Sequence, residues 1–84
     1  MQPLQKYSNS FTTYESTQYV LSNCNTIVFV NIGIGTVTIN QTLPIPSGAS
    51  FTFGGNNDEI CIDTFLITIT GESKCLVIKK TYID

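Results

Sequence analysis

At 84 residues the chain has the size of a single domain, and a domain this short buries only roughly 60% of the surface its unfolded form exposes. Hydrophobic residues make up 42%, too many for a disordered chain, and charged residues only 12%, against about 25% in an average soluble domain. The net charge is −2, arginine is absent, and two of the four lysines are adjacent at Lys79 and Lys80; with no basic stripe to meet phosphates, nucleic-acid binding is excluded as a main task.

Thr, Ser and Asn fill 26 of the 84 positions, and Thr and Ile together fill 23, which is strand composition with Thr for a wet face and Ile for a dry one. A surface with so little charge repels its own copies weakly, which suits a chain packed against partners. In chain order, "MQPLQKYSNS" has one lysine and no apolar run, and no stretch of about 18 apolar residues follows; the expectation is a chain made in a cytoplasm, with no membrane partner. Residues 1–22 are polar and aromatic, with Tyr7, Phe11, Tyr14 and Tyr19 set among Ser, Thr, Asn and Gln, and read as an extended N-terminal arm or as edge strands ahead of a domain over 23–84. "NCN" at 23–25 breaks this region.

"TIVFVNI" is apolar at both parities, Ile27 and Phe29 against Val28 and Val30, the pattern of a central strand covered on two sides. Gly33 and Gly35 permit a reversal, and "TVTIN" then alternates cleanly, Val37 and Ile39 inward. Pro44 and Pro46 exclude a central strand over "LPIPSG", since each lacks a ladder donor. Phe51 and Phe53 are expected to face the core, and Gly54 to Asn57 to return the chain. "EICIDTFLITIT" reads as the longest strand, yet Ile60 and Ile62 have the parity opposite to Phe65, Ile67 and Ile69, which requires a bulge near Asp63 or two kinked strands. "GESK" is a hairpin turn and "CLVIKKTYI" the last strand. No segment keeps a helical apolar period, so the reading is all-β: one small antiparallel β-sandwich of six to eight strands, immunoglobulin-like or jelly-roll-like.

Without histidine there is no ready general base, and the cysteines lack a partner to make a thiolate; the six acids have little room for a catalytic cleft, so the chain reads as non-enzymatic. Cys24, Cys61 and Cys75 are too few and too dispersed for a zinc site or a disulfide framework, and are read as small buried hydrophobes. Asn56, Asn57, Asp58, Glu59 and Asp63 offer hard oxygen ligands, but their spacing departs from a calcium loop and suits a glycine-permitted turn; no metal and no cofactor is expected. Tyr7, Tyr14 and Tyr82 remain as stacking platforms for a small carbohydrate-binding module, which is the alternative function class.

The run "VNIGIGTVTINQTLPIPSGASFTFGGNNDEICIDTFLITI" combines a strand ending in Asn and Gly, "TVTIN", a Leu-Pro and Ser-Gly reversal, "SFTFGGN", an acid and an alternating strand. In these features the chain resembles small β-sandwich accessory virion proteins of tailed bacteriophages, particularly those of Bacteroidetes and crAss-like phages. The resemblance implies a non-enzymatic structural protein of the virion, assembled in the host cytoplasm. It would be a capsid decoration or auxiliary head protein, or alternatively a collar, tail or fibre component. The implied partners are the major capsid protein or neighbouring head and tail proteins, and further copies of the chain in a homo-oligomer or multi-copy assembly. Tyr7, Phe11 and Tyr14 are the contact residues expected from the first 22 positions.

Overall fold

The computed structural model describes residues 6–55 and 58–83. Among them there is no helix, and eight strands form: β1 (Lys6–Tyr14), β2 (Gln18–Leu21), β3 (Thr26–Asn31), β4 (Thr36–Ile39), β5 (Leu43–Ile45), β6 (Ser50–Gly54), β7 (Thr64–Thr70) and β8 (Cys75–Ile83). They build two antiparallel four-stranded sheets, β1-β8-β3-β6 and β2-β7-β4-β5. The pairs β1·β8, β2·β7, β3·β6 and β4·β5 each join strands whose positions in the chain add to nine. The chain is thus one long hairpin rolled up so that successive rungs fall in alternate sheets, which is the jelly roll.

The tip of that hairpin is built from sequence chemistry that is local. Asn40 and Gln41 have φ of 52° and 59°, and Thr42 N–H donates to the Ile39 carbonyl at 3.1 Å, giving the primed turn whose twist matches the flanking strands. Asn tolerates this left-handed backbone better than most residues. Beyond the tip, Pro44 lies in β5, an edge strand, where its missing donor costs no ladder bond.

Alternation then fills the space between the sheets. Ile27, Phe29, Cys75 and Val77 come from the first sheet, and Val20, Val37, Ile39, Ile45, Phe65 and Ile67 from the second; all are buried, as is Cys24 beside β3. Phe29 meets Phe53 and Phe65 edge-on at 5.9 and 5.2 Å between centroids, arrangements that suit the ring quadrupoles. The structure corrects four expectations from sequence. Phe51 is on the core side but 41% exposed, because β6 is the rim of its sheet. The longest strands are β1 and β8, nine residues each, not the run from Glu59. That run is strand only from Thr64; Ile60 and Ile62 stay exposed, with the Cys61 backbone paired to that of Cys24 in an isolated antiparallel rung, so no register shift is needed. Finally, β3 is covered on one face only: Val28 and Val30 are half-buried on the outside of the sheet.

Residues 6–14 and 18–21, read as arm or edge strands, are edge strands β1 and β2, one in each sheet. β1 is exposed at eight of its nine positions, since it lies beside β8 with almost none of the second sheet beneath it. The molecule extends 50 × 20 × 16 Å, with a radius of gyration of 13.7 Å, above the ~12 Å of a round domain of this length.

Candidate interaction surface

The two sheets present unlike outer faces, and the difference follows from which residues share parity. On the second sheet the outward positions are mainly hydroxyls, Thr36, Thr38, Thr64, Thr68 and Thr70, with Tyr19, Leu21 and Leu66 among them along β2 and β7. On the first sheet the register sets Thr13, Leu76, Val30 and Ser50 in one row across the strands. The next row is Phe11, Ile78, Val28 and Thr52, then Asn9, Lys80, Thr26 and Gly54, and last Tyr7 beside Tyr82. Leu76, Ile78, Val28 and Val30 form a contiguous, half-buried apolar centre, and Phe11 stands at its edge 65% exposed.

The aromatic end of this face is held together by electrostatics and by one buried amide. Tyr7 and Tyr82 meet edge-on at 6.1 Å, and the Lys80 ammonium lies 4.3 Å from the Tyr7 centroid and 5.1 Å from that of Tyr82. A cation over two ring faces is attracted by both quadrupoles. Beneath them, Asn25 Oδ1 accepts from the Tyr82 backbone N–H at 2.7 Å, and Asn25 Nδ2 donates to the Glu59 carbonyl at 2.5 Å. Lys79, at the opposite parity, sends its ammonium across the open end of the sandwich to the Leu21 carbonyl at 2.6 Å.

Of the contact residues expected from sequence, Tyr7 and Phe11 share this outer face and Tyr14 does not. Tyr14 pairs with Cys75 at the inward parity and packs on the core. The contribution of β8 and β3 to the face was visible in sequence only as apolar residues at the "wrong" parity of "TIVFV" and "CLVI".

The other polar clusters read as structure. Asp58, Glu59 and Asp63 are exposed; Asn56 and Asn57 lie outside the described residues. Among the described residues no group of three or more His, Cys, Asp or Glu is placed to hold a metal ion. A shallow groove at the 71–74 turn is lined by Glu15, Ile32, Gly33, Glu72, Ser73 and Lys74, and its charges include the exposed Lys74–Glu15 pair at 3.1 Å. Such a pair is worth little. All three cysteines are free thiols. Burial pushes the Cys75 thiol up to about 11, and burial, partly opposed by the Lys79 ammonium, also raises that of Cys24, so both are held in the unreactive protonated form at neutral pH. Comparison with protein-family models, with curated proteins and with solved structures returns no match to this chain.

Proposed function

We propose that the protein is a non-enzymatic structural component of a tailed-phage virion, a decoration or auxiliary protein of the head held by protein–protein contacts. One observation carries the reading: the first sheet has Val28, Val30, Leu76, Ile78 and Phe11 together across the centre of its outside, where the second is mainly threonine with Tyr19, Leu21 and Leu66 along β2 and β7. Apolar residues scattered singly on a surface need no explanation, but a contiguous patch with aromatic and polar borders marks a contact surface. Weak charge and rigid aromatic side chains suit a protein held between neighbours, because Tyr and Phe contribute area at small entropic cost. Eight-stranded jelly rolls recur in viral capsid proteins and in lectins, which is support by analogy of fold alone.

The glycan-binding alternative rests on Tyr7 and Tyr82, and there the geometry weighs against it. A sugar stacks on an open ring face, and the Lys80 ammonium already lies over both rings. Mass spectrometry of gradient-purified particles tests the proposal: the chain is expected at many copies per virion. The double variant Tyr7→Ser, Phe11→Ser, altered only at exposed positions, is expected to fold but to drop out of particles. Absence of the wild-type chain from virions, with specific binding to a glycan array, would replace this reading with the lectin one; recovery in detached tails rather than heads would move it to the collar, tail or fibre.

A further inference from the structure

The four sheet edges are not alike. β5 is three residues long and contains Pro44; β2 is four residues; β6 is five and ends at Gly54, with φ of 89°. Short strands, proline and kinked ends are how proteins blunt edges that would otherwise pair with another chain. β1 has none of these: it runs nine residues, has no proline, no glycine and no positive φ, and its one charge is Lys6 at its first position. Its side toward β8 is fully paired, and no strand among the described residues pairs with its other side.

We propose that β1 is a self-pairing edge: two copies of this chain join antiparallel along β1, about a two-fold axis through Asn9, into one eight-stranded sheet. This names a partner for the structural role proposed above and rests on that reading. The register follows from side-chain chemistry. When the two-fold axis stands perpendicular to the sheet, the outer faces of both copies lie on the same side, and residues directly opposite share a face. Centring on Asn9 sets Tyr7 opposite Phe11 of the second copy, twice by symmetry, with Ser8 opposite Ser10 and Lys6 opposite Thr12. Aromatic pairs across strands are stabilising, and no like charges are opposed. The row Val28, Ile78, Phe11 then continues into Tyr7 and Tyr82 of the second copy, so the apolar patch of each molecule runs unbroken into the aromatic end of the other. Centring on Ser10 instead opposes Tyr7 to Thr13 and Phe11 to Asn9, which separates the aromatics. A seven-residue ladder spans ~24 Å and falls at the small, weak end of specific interfaces, below ~1,200 Å². That is a joint suited to copies already crowded on a lattice.

The test uses the full chain. Sedimentation velocity is expected to show a dimer fraction that rises with concentration, and Phe11→Glu, at an exposed position, is expected to shift it to monomer with an unchanged circular dichroism spectrum. In a Cys61→Ser background, Asn9→Cys places two thiols opposite one another at about 4.5–5.5 Å between Cα atoms, within disulfide reach. Oxidation should cross-link it to a dimer and leave Thr13→Cys monomeric. A chain that stays monomeric at every concentration, pairs only with another head protein, or cross-links at Thr13 as readily as at Asn9 would overturn the proposal. Monomers that still enter virions would overturn the self-pairing alone; dimers absent from virions would uphold it and remove the virion role.

Discussion

Asn31 is fully buried, and its amide uses both ends. Nδ2 donates to the carbonyls of Gly35 and Ile45, each at 2.9 Å, while Oδ1 accepts from the Gly33 N–H at 3.0 Å and from the Ser73 hydroxyl. One side chain therefore ties the end of β3 to the 33–35 loop, to β5 in the other sheet and to the 71–74 turn. Glycine at 33 and 35 lets these segments approach so closely: a Cβ on Gly35 would overlap the Thr70 carbonyl oxygen, and one on Gly33 the Ser73 Cα. Asn31→Leu keeps the branched shape, in a bulkier side chain, but strands two carbonyls, an N–H and a hydroxyl. With each unmet buried group costing ~1–3 kcal/mol, a loss of about 4 kcal/mol is expected, a large part of a small domain's stability. Asn31→Asp aims an acceptor at two carbonyls and is expected to cost at least as much, whereas Ser73→Ala removes a single bond for ~1 kcal/mol. Urea unfolding of the three variants checks the order; if Asn31→Leu proved no less stable than Ser73→Ala, the amide would be dispensable. None of this was legible in sequence, where Asn31 looked like the polar end of a strand, because its partners stand between 2 and 42 residues away.

At the scale of elements, strands with one dry and one wet face were the easiest to read. Val37 and Ile39 in β4, and Phe65 and Ile67 in β7, are buried as their alternation required, and Pro44 correctly kept β5 out of a sheet centre. Sequence misled where apolar residues do not mean burial. Ile60 and Ile62 suggested a continuous strand with a bulge, but the segment before Thr64 is tied instead by the backbone hydrogen bonds between Cys24 and Cys61 and by Ser22, whose hydroxyl donates to the Cys61 and Asp63 carbonyls at 2.8 Å. Both isoleucines point outward, 61% and 73% exposed. Ile60→Ser and Ile62→Ser should therefore each change stability by less than ~0.5 kcal/mol, whereas Ile67→Ala, fully buried, should cost about 3 kcal/mol. Thermal unfolding of the three variants decides the matter, since a bulged strand feeding both isoleucines into the core would make all three alike. The same ambiguity affects β3: its doubly apolar pattern suggested cover on both faces, and the free chain supplies cover for one.

For the whole molecule, the rolled hairpin sets an order in which contacts become affordable. β4 and β5 are joined by three residues, while the outermost pair sets Lys6 opposite Ile83, almost the full length of the chain apart. Loop-closure entropy rises with the separation of the paired segments, and folds dominated by such non-local pairs cross their barrier in milliseconds to seconds. Each rung formed at the tip shortens the effective loop for the next, so the β4·β5 turn and its packing against β7 are expected to be structured in the transition state, and β1·β8 to close after it. Ile39→Val, beside the Asn40–Gln41 turn, should then slow folding with a φ-value above ~0.5, while Val77→Ala in β8 should mainly speed unfolding with a φ-value below ~0.3. Chevron plots in urea measure both. The reverse ranking would mean that the chain's ends meet first, and would also remove the reason for β1 to remain the last and least committed edge, open to a second copy.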